Sequence, residues 1–257
     1  HAEKLIENGL HGIILFGSTG MAQLISSNEK KKLIYKLKDS KYKDNFVIGT
    51  GANALNENIE LINYTLDIGI DRFLLGVPAY YKFSDDGVFD YFKNLINKTP
   101  KAKIILYNFE KLFNYKFSIE VVKRLAKEFP EQIVGVKDSS YNLYETLKIP
   151  NFLVFPGSET KLLKGLELGC SGIISAVCNV TAPLARKVYD DYHDNKKQTF
   201  NKKLCEIRSA FDLYNLISAL HSFMANEDEK YKIVLPPLSL LSDAKEKELI
   251  SKLKKLN

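Results

Sequence analysis

Seven short apolar runs, separated by longer amphipathic stretches, constrain the fold of this chain more than any other feature. The runs cover residues 12–17, 46–51, 72–78, 103–109, 133–137, 152–156 and 172–177. Their starts lie roughly 20 to 35 residues apart, which is the spacing of strands joined by helical crossovers. Because the runs are apolar at consecutive positions, both faces of each strand should be covered. The pattern predicts a parallel α/β fold, either a doubly wound sheet or a barrel.

Three of the runs follow the same local motif, a glycine and a two-residue link after a helix-like stretch. The glycines are Gly9, Gly69 and Gly169. Glycine adopts the left-handed conformation that ends a helix without steric cost. The stretches before two of them, 58–68 and 161–168, carry apolar residues at helical spacing. The motif predicts helices that lead directly into strands.

The two ends of the chain lack this alternation. Residues 1–8 are helix-like, so a barrel of eight strands would need a first strand upstream of His1. After residue 177 the strand pattern stops, and residues 183–195, 198–225 and 244–256 have helical periodicity. We expect these three stretches to be helices.

Composition disfavours several functional classes. A chain of 257 residues that is 45% hydrophobic and 26% charged is typical of soluble globular proteins. No apolar run approaches the roughly 20 residues of a membrane-spanning helix. No signal-peptide pattern opens the chain, so we expect a cytoplasmic protein with no membrane partner. The net charge of +6 comes from scattered lysines, which argues against a nucleic-acid partner. The cysteines and histidines show neither disulfide nor metal-site spacing.

Lys137 interrupts the apolar run at 133–137, and its position is chemically informative. Burying an unpaired ammonium costs on the order of several kcal/mol, and such a group tends to lose its proton. A neutral amine at the end of a strand would be a nucleophile. Alternatively, Lys137 lies where the strand reaches the surface, and its ammonium extends into water.

Other strand ends also carry groups that could take part in chemistry. The turn 17–20, Gly-Ser-Thr-Gly, could bind a carboxylate or phosphate, or could be a plain strand-to-helix turn. Tyr107 could transfer a proton or pack in the core, and the Tyr80–Tyr81 pair could be a loop anchor, a subunit contact or a second phenol. Ile174 and Ser175 would form the floor of a site at these strand ends. In parallel α/β folds the carboxyl ends of the strands meet at one edge, so these groups should face one site.

These segments together resemble the dihydrodipicolinate synthase and N-acetylneuraminate lyase superfamily of pyruvate-dependent class I aldolases. The similarity lies in residues 17–20, 77–81, 106–108, 135–138 and 172–175, in matching order and spacing. It implies a (β/α)8 TIM barrel over residues 1–195, without its first strand, and a C-terminal helical region over residues 196–257. It also implies a homotetramer and neither a metal nor an organic cofactor.

The same resemblance implies roles for individual residues. Lys137 would form a Schiff base with the keto carbon of a 2-oxo acid. Tyr107 would transfer the proton between the aldol hydroxyl and the enamine. Tyr81 corresponds to a tyrosine that reaches into a neighbouring subunit's site. The positions expected to bind substrate are Ser18, Thr19, Gly157 and Ile174.

Departures from the family pattern bear on the substrate. Synthases that condense pyruvate with aspartate semialdehyde carry an arginine where this chain has Leu112, and a proline where it has Glu110. A leucine cannot make the bidentate contact to a carboxylate that an arginine makes. We therefore expect an enzyme similar to 2-keto-3-deoxygluconate aldolase, which would release pyruvate and an aldehyde from a 2-keto-3-deoxy sugar acid. The alternatives are dihydrodipicolinate synthase, a dehydratase or sialic acid lyase, and a non-catalytic metabolite-binding barrel.

Overall fold

A six-stranded parallel sheet lies at the centre of the structure, a computed structural model that describes residues 1–256. The strands are β1 (Ile13–Leu15), β2 (Phe46–Gly49), β3 (Arg72–Leu75), β4 (Lys103–Asn108), β5 (Ile133–Asp138) and β6 (Leu153–Pro156). Each strand pairs with the next one along the chain, so the order in the sheet is sequential. A doubly wound sheet reverses its order at a switch point, whereas a barrel does not. The fold is therefore TIM-barrel-like, and six of the seven predicted strands are confirmed.

The prediction of a seventh strand at 172–177 is wrong. This segment runs beside β6, and two hydrogen bonds link them, from Ser171 N to Val154 O (2.9 Å) and from Ile174 N to Pro156 O (3.2 Å). Gly172 has φ of 139°, which departs from strand geometry and interrupts the ladder. The segment therefore lies next to the sheet without being one of its strands. An eighth strand and the division at residue 195 stay predictions.

Helices follow most of the strands. They are α1 (Ala2–Glu7), α2 (Ser27–Lys36), α3 (Leu55–Ile68), α4 (Asp85–Lys98), α5 (Glu110–Phe113), α6 (Ile119–Glu128), α7 (Leu162–Glu167), α8 (Cys178–His193), α9 (Asn201–Phe211), α10 (Leu216–Ala225) and α11 (Asp243–Lys254). The three glycines predicted to end helices have φ of 103°, 88° and 84°, so that prediction is confirmed. The predicted helix at 198–225 is instead two helices, because Asn215 caps α10 by accepting a hydrogen bond from Ser218 N.

The crossover between β5 and β6 differs from its neighbours. Residues 139–152 form turns and bends and contain no helix, whereas α2, α3, α4 and α6 occupy the preceding crossovers. The outer side of the sheet at this point is covered by side chains of the turns, including the buried Leu143, Tyr144 and Leu147. The end of β5 is therefore held by turn contacts.

The C-terminal helices pack against one another, and α9 contacts the carboxyl end of the sheet. Buried Phe211, Leu220 and Leu249 form an apolar cluster between α9, α10 and α11. Arg208 on α9 is 8% exposed and donates through Nη1 to Glu159 Oε2 at 2.8 Å, just beyond β6. Of the predicted helical region 196–257, residue 257 lies outside the described residues. Within residues 1–256, no helix combines the length and the apolar character that crossing a membrane requires.

Candidate active site

Tyr107 and Lys137 are paired between two adjacent strands of the sheet. They occupy partner positions in the register of β4 and β5, near the carboxyl ends of both strands. Residues directly opposite each other in adjacent strands share a face of the sheet. The Nζ atom of Lys137 lies 4.2 Å from the centroid of the Tyr107 ring. Tyr107 is buried and Lys137 is partly buried, so the amine lies against an aromatic face that limits its contact with water.

Ser18 joins this pair from the turn after β1. Its hydroxyl oxygen lies 3.0 Å from the phenol oxygen of Tyr107, and either group can be the donor. The turn is tight, since Met21 N donates to Ser18 O at 3.1 Å and Met21 has left-handed backbone angles. Hydroxyl, phenol and amine therefore form one connected set. A phenol in this position can exchange a proton with a reacting group beside the amine.

The other predicted site residues are divided between the carboxyl edge of the sheet and the protein surface. Thr19 belongs to the same turn as Ser18 and is partly buried. Gly157 N donates to Asp138 O at 3.0 Å, directly after Lys137, and Ile174 N donates to Pro156 O. Tyr81 lies on the surface with 66% of its area exposed. The structure thus gathers Ser18, Thr19, Tyr107 and Lys137 within one edge, whereas Tyr81 faces outward.

A small cavity of about 40 Å³ opens beside Tyr107 at the ends of β1 to β4. Its lining includes the polar Ser18 and Thr50 and the apolar Leu112 and Phe113, whereas Lys137 is not among the lining residues. Leu112 is 43% exposed, so it lies at the mouth of the cavity. No guanidinium group is among the lining residues of the described chain. The lining therefore offers no bidentate partner for a second carboxylate.

Phe113 is a lining residue that sequence reasoning missed. Its ring contacts Tyr107 edge-on, with 5.4 Å between centroids. A Cβ atom at Gly76 would lie 2.5 Å from the Cζ atom of Phe113, so the ring needs a glycine at the end of β3. The signal in the sequence was Gly76 inside the apolar run 72–78, but nothing local indicates which side chain fills the space.

The arginines of the chain are bonded to protein acceptors. Arg124 pairs with Asp86 at 2.5 Å, and Arg186 pairs with Asp190 at 2.7 Å. Arg72 donates to a backbone carbonyl at 2.5 Å. Arg208 donates to Glu159, Asp212 and Ser175. Two carboxylates thus compensate its charge.

Lys30 is a second buried lysine close to the cavity. It is 2% exposed, and its Nζ donates to the carbonyl oxygen of Thr50 at 2.6 Å. Burial lowers the pKa of Lys30 from its ordinary value, while the charge of Glu57 acts in the opposite direction. The contact holds the loop after β2, where Thr50 and Gly51 line the cavity. In the sequence Lys30 is one of the scattered lysines that give the chain its net charge, so its burial was not predicted.

Comparison with known proteins agrees with this geometry. A profile of the Dihydrodipicolinate synthetase family matches residues 1–256. The chain is 33% identical, over 69% of its length, to the 4-hydroxy-tetrahydrodipicolinate synthase of Hydrogenobaculum, and this match spans 62% of that protein. It is 31% identical over 70% of its length to the 2-dehydro-3-deoxy-D-gluconate/2-dehydro-3-deoxy-phosphogluconate aldolase of Picrophilus torridus, spanning 68% of it.

Solved structures show the same fold. Dihydrodipicolinate synthase from Agrobacterium tumefaciens superposes with a TM-score of 0.90 at 25% identity, covering 100% of this chain and 91% of that one. The 2-keto 3-deoxygluconate aldolase from Picrophilus torridus gives 0.86 at 24% identity, covering 94% and 89%. The chain belongs to the dihydrodipicolinate synthetase family, whose members are carbon–carbon lyases that act through a Schiff base.

Proposed function

We propose that this chain is a class I aldolase that cleaves a 2-keto-3-deoxy sugar acid to pyruvate and an aldehyde. The observation that carries the proposal is the position of the Lys137 amine 4.2 Å from the ring centroid of Tyr107, whose phenol lies 3.0 Å from the Ser18 hydroxyl. This arrangement joins a nucleophile, a proton-transfer group and a hydrogen-bond donor for a carboxylate. Each of these is required for Schiff-base aldol chemistry.

The reaction can be written on these residues. The neutral amine of Lys137 attacks the keto carbon, and loss of water, with one proton taken up from solvent, gives a protonated imine. Tyr107 passes its phenol proton through the Ser18 hydroxyl to solvent as it accepts the proton of the C4 hydroxyl. The C3–C4 bond then breaks, and its electron pair moves into the imine to form an enamine. The aldehyde leaves, C3 is protonated again, and hydrolysis releases pyruvate and Lys137. Ser18 and Thr19 would hold the pyruvoyl carboxylate, and Gly157 and Ile174 would line the substrate.

The choice of a sugar acid rests on the apolar mouth of the cavity. Leu112 occupies the place where synthases carry the arginine that binds a second carboxylate, and the arginines of this chain are already paired. The aldolase of Picrophilus torridus supports this choice. Dihydrodipicolinate synthase activity is the second candidate, because the relatives from Hydrogenobaculum and Methanothrix thermoacetophila carry that name.

The proposal extends to assembly. Tyr80 and Tyr81 are 83% and 66% exposed, and their rings pack edge-on at 5.2 Å. Exposed aromatic pairs are common at protein interfaces. We propose that Tyr81 contacts a neighbouring subunit of a homotetramer in the cytoplasm. Under the same proposal, residues 1–195 belong to a (β/α)8 barrel and the following residues to a C-terminal helical region.

Two measurements test the activity. Incubation with pyruvate and borohydride should add one reduced pyruvyl group per chain, on the peptide that contains Lys137. Lys137→Met should lose the adduct, and the control Lys148→Met, which changes an exposed lysine bonded to Leu168 O, should keep it. Cleavage of 2-keto-3-deoxygluconate is then compared with condensation of pyruvate and aspartate semialdehyde. An adduct on another lysine rejects the mechanism, and faster condensation favours the second candidate.

A further inference from the structure

Two buried polar residues directly follow the reactive pair. Asn108 comes after Tyr107, Asp138 comes after Lys137, and the two are themselves partners in the register of β4 and β5. Both are fully buried. Since successive side chains of a strand point to opposite faces, Asn108 and Asp138 lie on the face of the sheet away from the amine and phenol. They are therefore next to the reactive pair in the chain but on the opposite face of the sheet.

Asp138 uses both carboxylate oxygens to hold the turns after β5. Its Oδ1 accepts from Asn108 Nδ2 at 2.8 Å and from Tyr141 N at 2.9 Å. Its Oδ2 accepts from Leu143 N at 2.8 Å and from Tyr144 N at 2.9 Å. This crossover has no helix, and Tyr141 has a left-handed φ of 58°. The carboxylate is thus the main polar anchor of the chain that leaves β5.

Asn108 extends the network to the loop after β4. Its Nδ2 also donates to Asn142 Oδ1 at 2.8 Å, and its Oδ1 accepts from Phe117 N at 3.1 Å. Asn142 Nδ2 in turn donates to Phe117 O at 2.9 Å. Phe117 lies in the segment that follows α5, the short helix that carries Leu112. One buried network therefore joins the ends of β4 and β5 to this loop.

We propose that Asp138 and Asn108 are positioning residues that fix the Lys137 amine against the Tyr107 phenol. The inference rests on the proposed Schiff-base function. Proton transfer requires the phenol within hydrogen-bond reach of the reacting atoms, and a misplacement of about 1 Å typically costs about 10²-fold in rate. Formation of the imine depends less on this geometry, because the flexible lysine side chain can still reach a bound keto acid. Loss of the network should therefore slow proton transfer more than it slows imine formation.

The test uses pyruvate alone, so it does not depend on the identity of the aldehyde. Borohydride trapping counts the sites that form the imine. Exchange of the pyruvate methyl protons in heavy water, followed by NMR, reports proton transfer at C3 through the enamine. In Asp138→Asn, one carboxylate oxygen becomes an amide nitrogen. Each oxygen accepts two hydrogen bonds, so two N–H donors lose their acceptor whichever way the amide turns.

The expected result is a fall of about 10- to 100-fold in exchange per trapped site for Asp138→Asn, with trapping retained. Asp191→Asn is the control, because Asp191 is also buried but lies on α8 and pairs with Lys187. It should keep the wild-type exchange rate. If Asp138→Asn does not fold, Asn142→Ala, which cuts only the outer link, should give a smaller fall of the same kind.

Two outcomes overturn the inference. The first is exchange per trapped site that matches the wild type in both Asp138→Asn and Asn142→Ala. The second is a fall of trapping and exchange in proportion, which indicates only a loss of folded sites. Failure of the proposed function is distinct, since the wild-type protein itself would then trap no pyruvate.

Discussion

The Lys137 amine lies over the face of the Tyr107 ring, 4.2 Å from its centroid, and both residues come from paired positions on adjacent strands. A lysine held against an aromatic ring is partly shielded from water on that side. The phenol oxygen of the same ring reaches the Ser18 hydroxyl at 3.0 Å. The amine and the proton-transfer group are therefore positioned by the register of the sheet. The turn at residues 17–20 is connected to the phenol by one hydrogen bond.

Tyr107→Phe should lower turnover by roughly 10²-fold or more, because it removes the proposed acid–base group while keeping the ring beside Lys137. Pyruvate trapping by borohydride should decrease less than carbon–carbon cleavage. Tyr192→Phe is the matched control, since its hydroxyl donates to Leu166 O away from the site. Unchanged turnover in Tyr107→Phe would show that this tyrosine only packs in the core.

Leu112→Arg should improve condensation with aspartate semialdehyde, because a guanidinium at the mouth of the cavity can bind the second carboxylate. A charge-assisted contact of this kind corresponds to about a 10-fold or larger gain in kcat/KM for that substrate. The kcat/KM for cleavage of 2-keto-3-deoxygluconate should not increase. Leu112→Met is the control for a change of shape without charge. A wild-type enzyme that already prefers aspartate semialdehyde would contradict the proposed substrate.

The sequence predicts most of the architecture because local signals and topology agree. Apolar runs at βα spacing predicted seven strands, of which six are present, and Gly9, Gly69 and Gly169 each follow a helix with positive φ. The run at 172–177 was misassigned because an apolar segment beside a sheet has the same composition as a strand. The long helix at 198–225 was misassigned because the cap at Asn215 interrupts a continuous periodic pattern.

The site was only partly predictable for a different reason. Lys137, Tyr107 and Ser18 could be found because each ends a strand or follows one. Contacts between distant segments leave no local signal, so the packing of Phe113 over Gly76 could not be foreseen. The same holds for the hydrogen bonds of Asp138, which depend on how residues 139–144 turn back. Such contacts are properties of the tertiary structure.

Gly157→Ala should destabilise the end of β6. A Cβ atom at this position would overlap Ser139 Oγ, two residues after Lys137. Overpacking of this kind typically costs about 1–3 kcal/mol in the free energy of unfolding, which urea denaturation measures. Adding Ser139→Ala should restore part of the loss, because the overlapping oxygen is removed. Equal stability of Gly157→Ala and the wild type would show that the two segments separate easily.

Lys30→Met tests the buried lysine through the pH dependence of stability. Burial lowers the pKa of Lys30 in the folded protein below its ordinary value of 10.5. Between the lowered value and 10.5 the unfolded chain binds more protons at this position, so the contribution of Lys30 to stability rises with pH. The methionine variant lacks this contribution. The difference in unfolding free energy, wild type minus Lys30→Met, should therefore increase from about pH 7.5 to about pH 10.

The matched control for this comparison is Lys32→Met, on the same helix α2 but exposed. Its stability difference from the wild type should stay nearly constant over the same pH range, because an exposed ammonium changes its hydration little on folding. Urea denaturation at about pH 7.5 and about pH 10 measures the unfolding free energy of the wild type and of both variants. A difference for Lys30→Met that stays constant or shrinks toward alkaline pH would mean that Lys30 keeps its proton in the folded state. The hydrogen bond to Thr50 O would then be a contact of a fully charged ammonium, and the loop beside the cavity would be held by that charge.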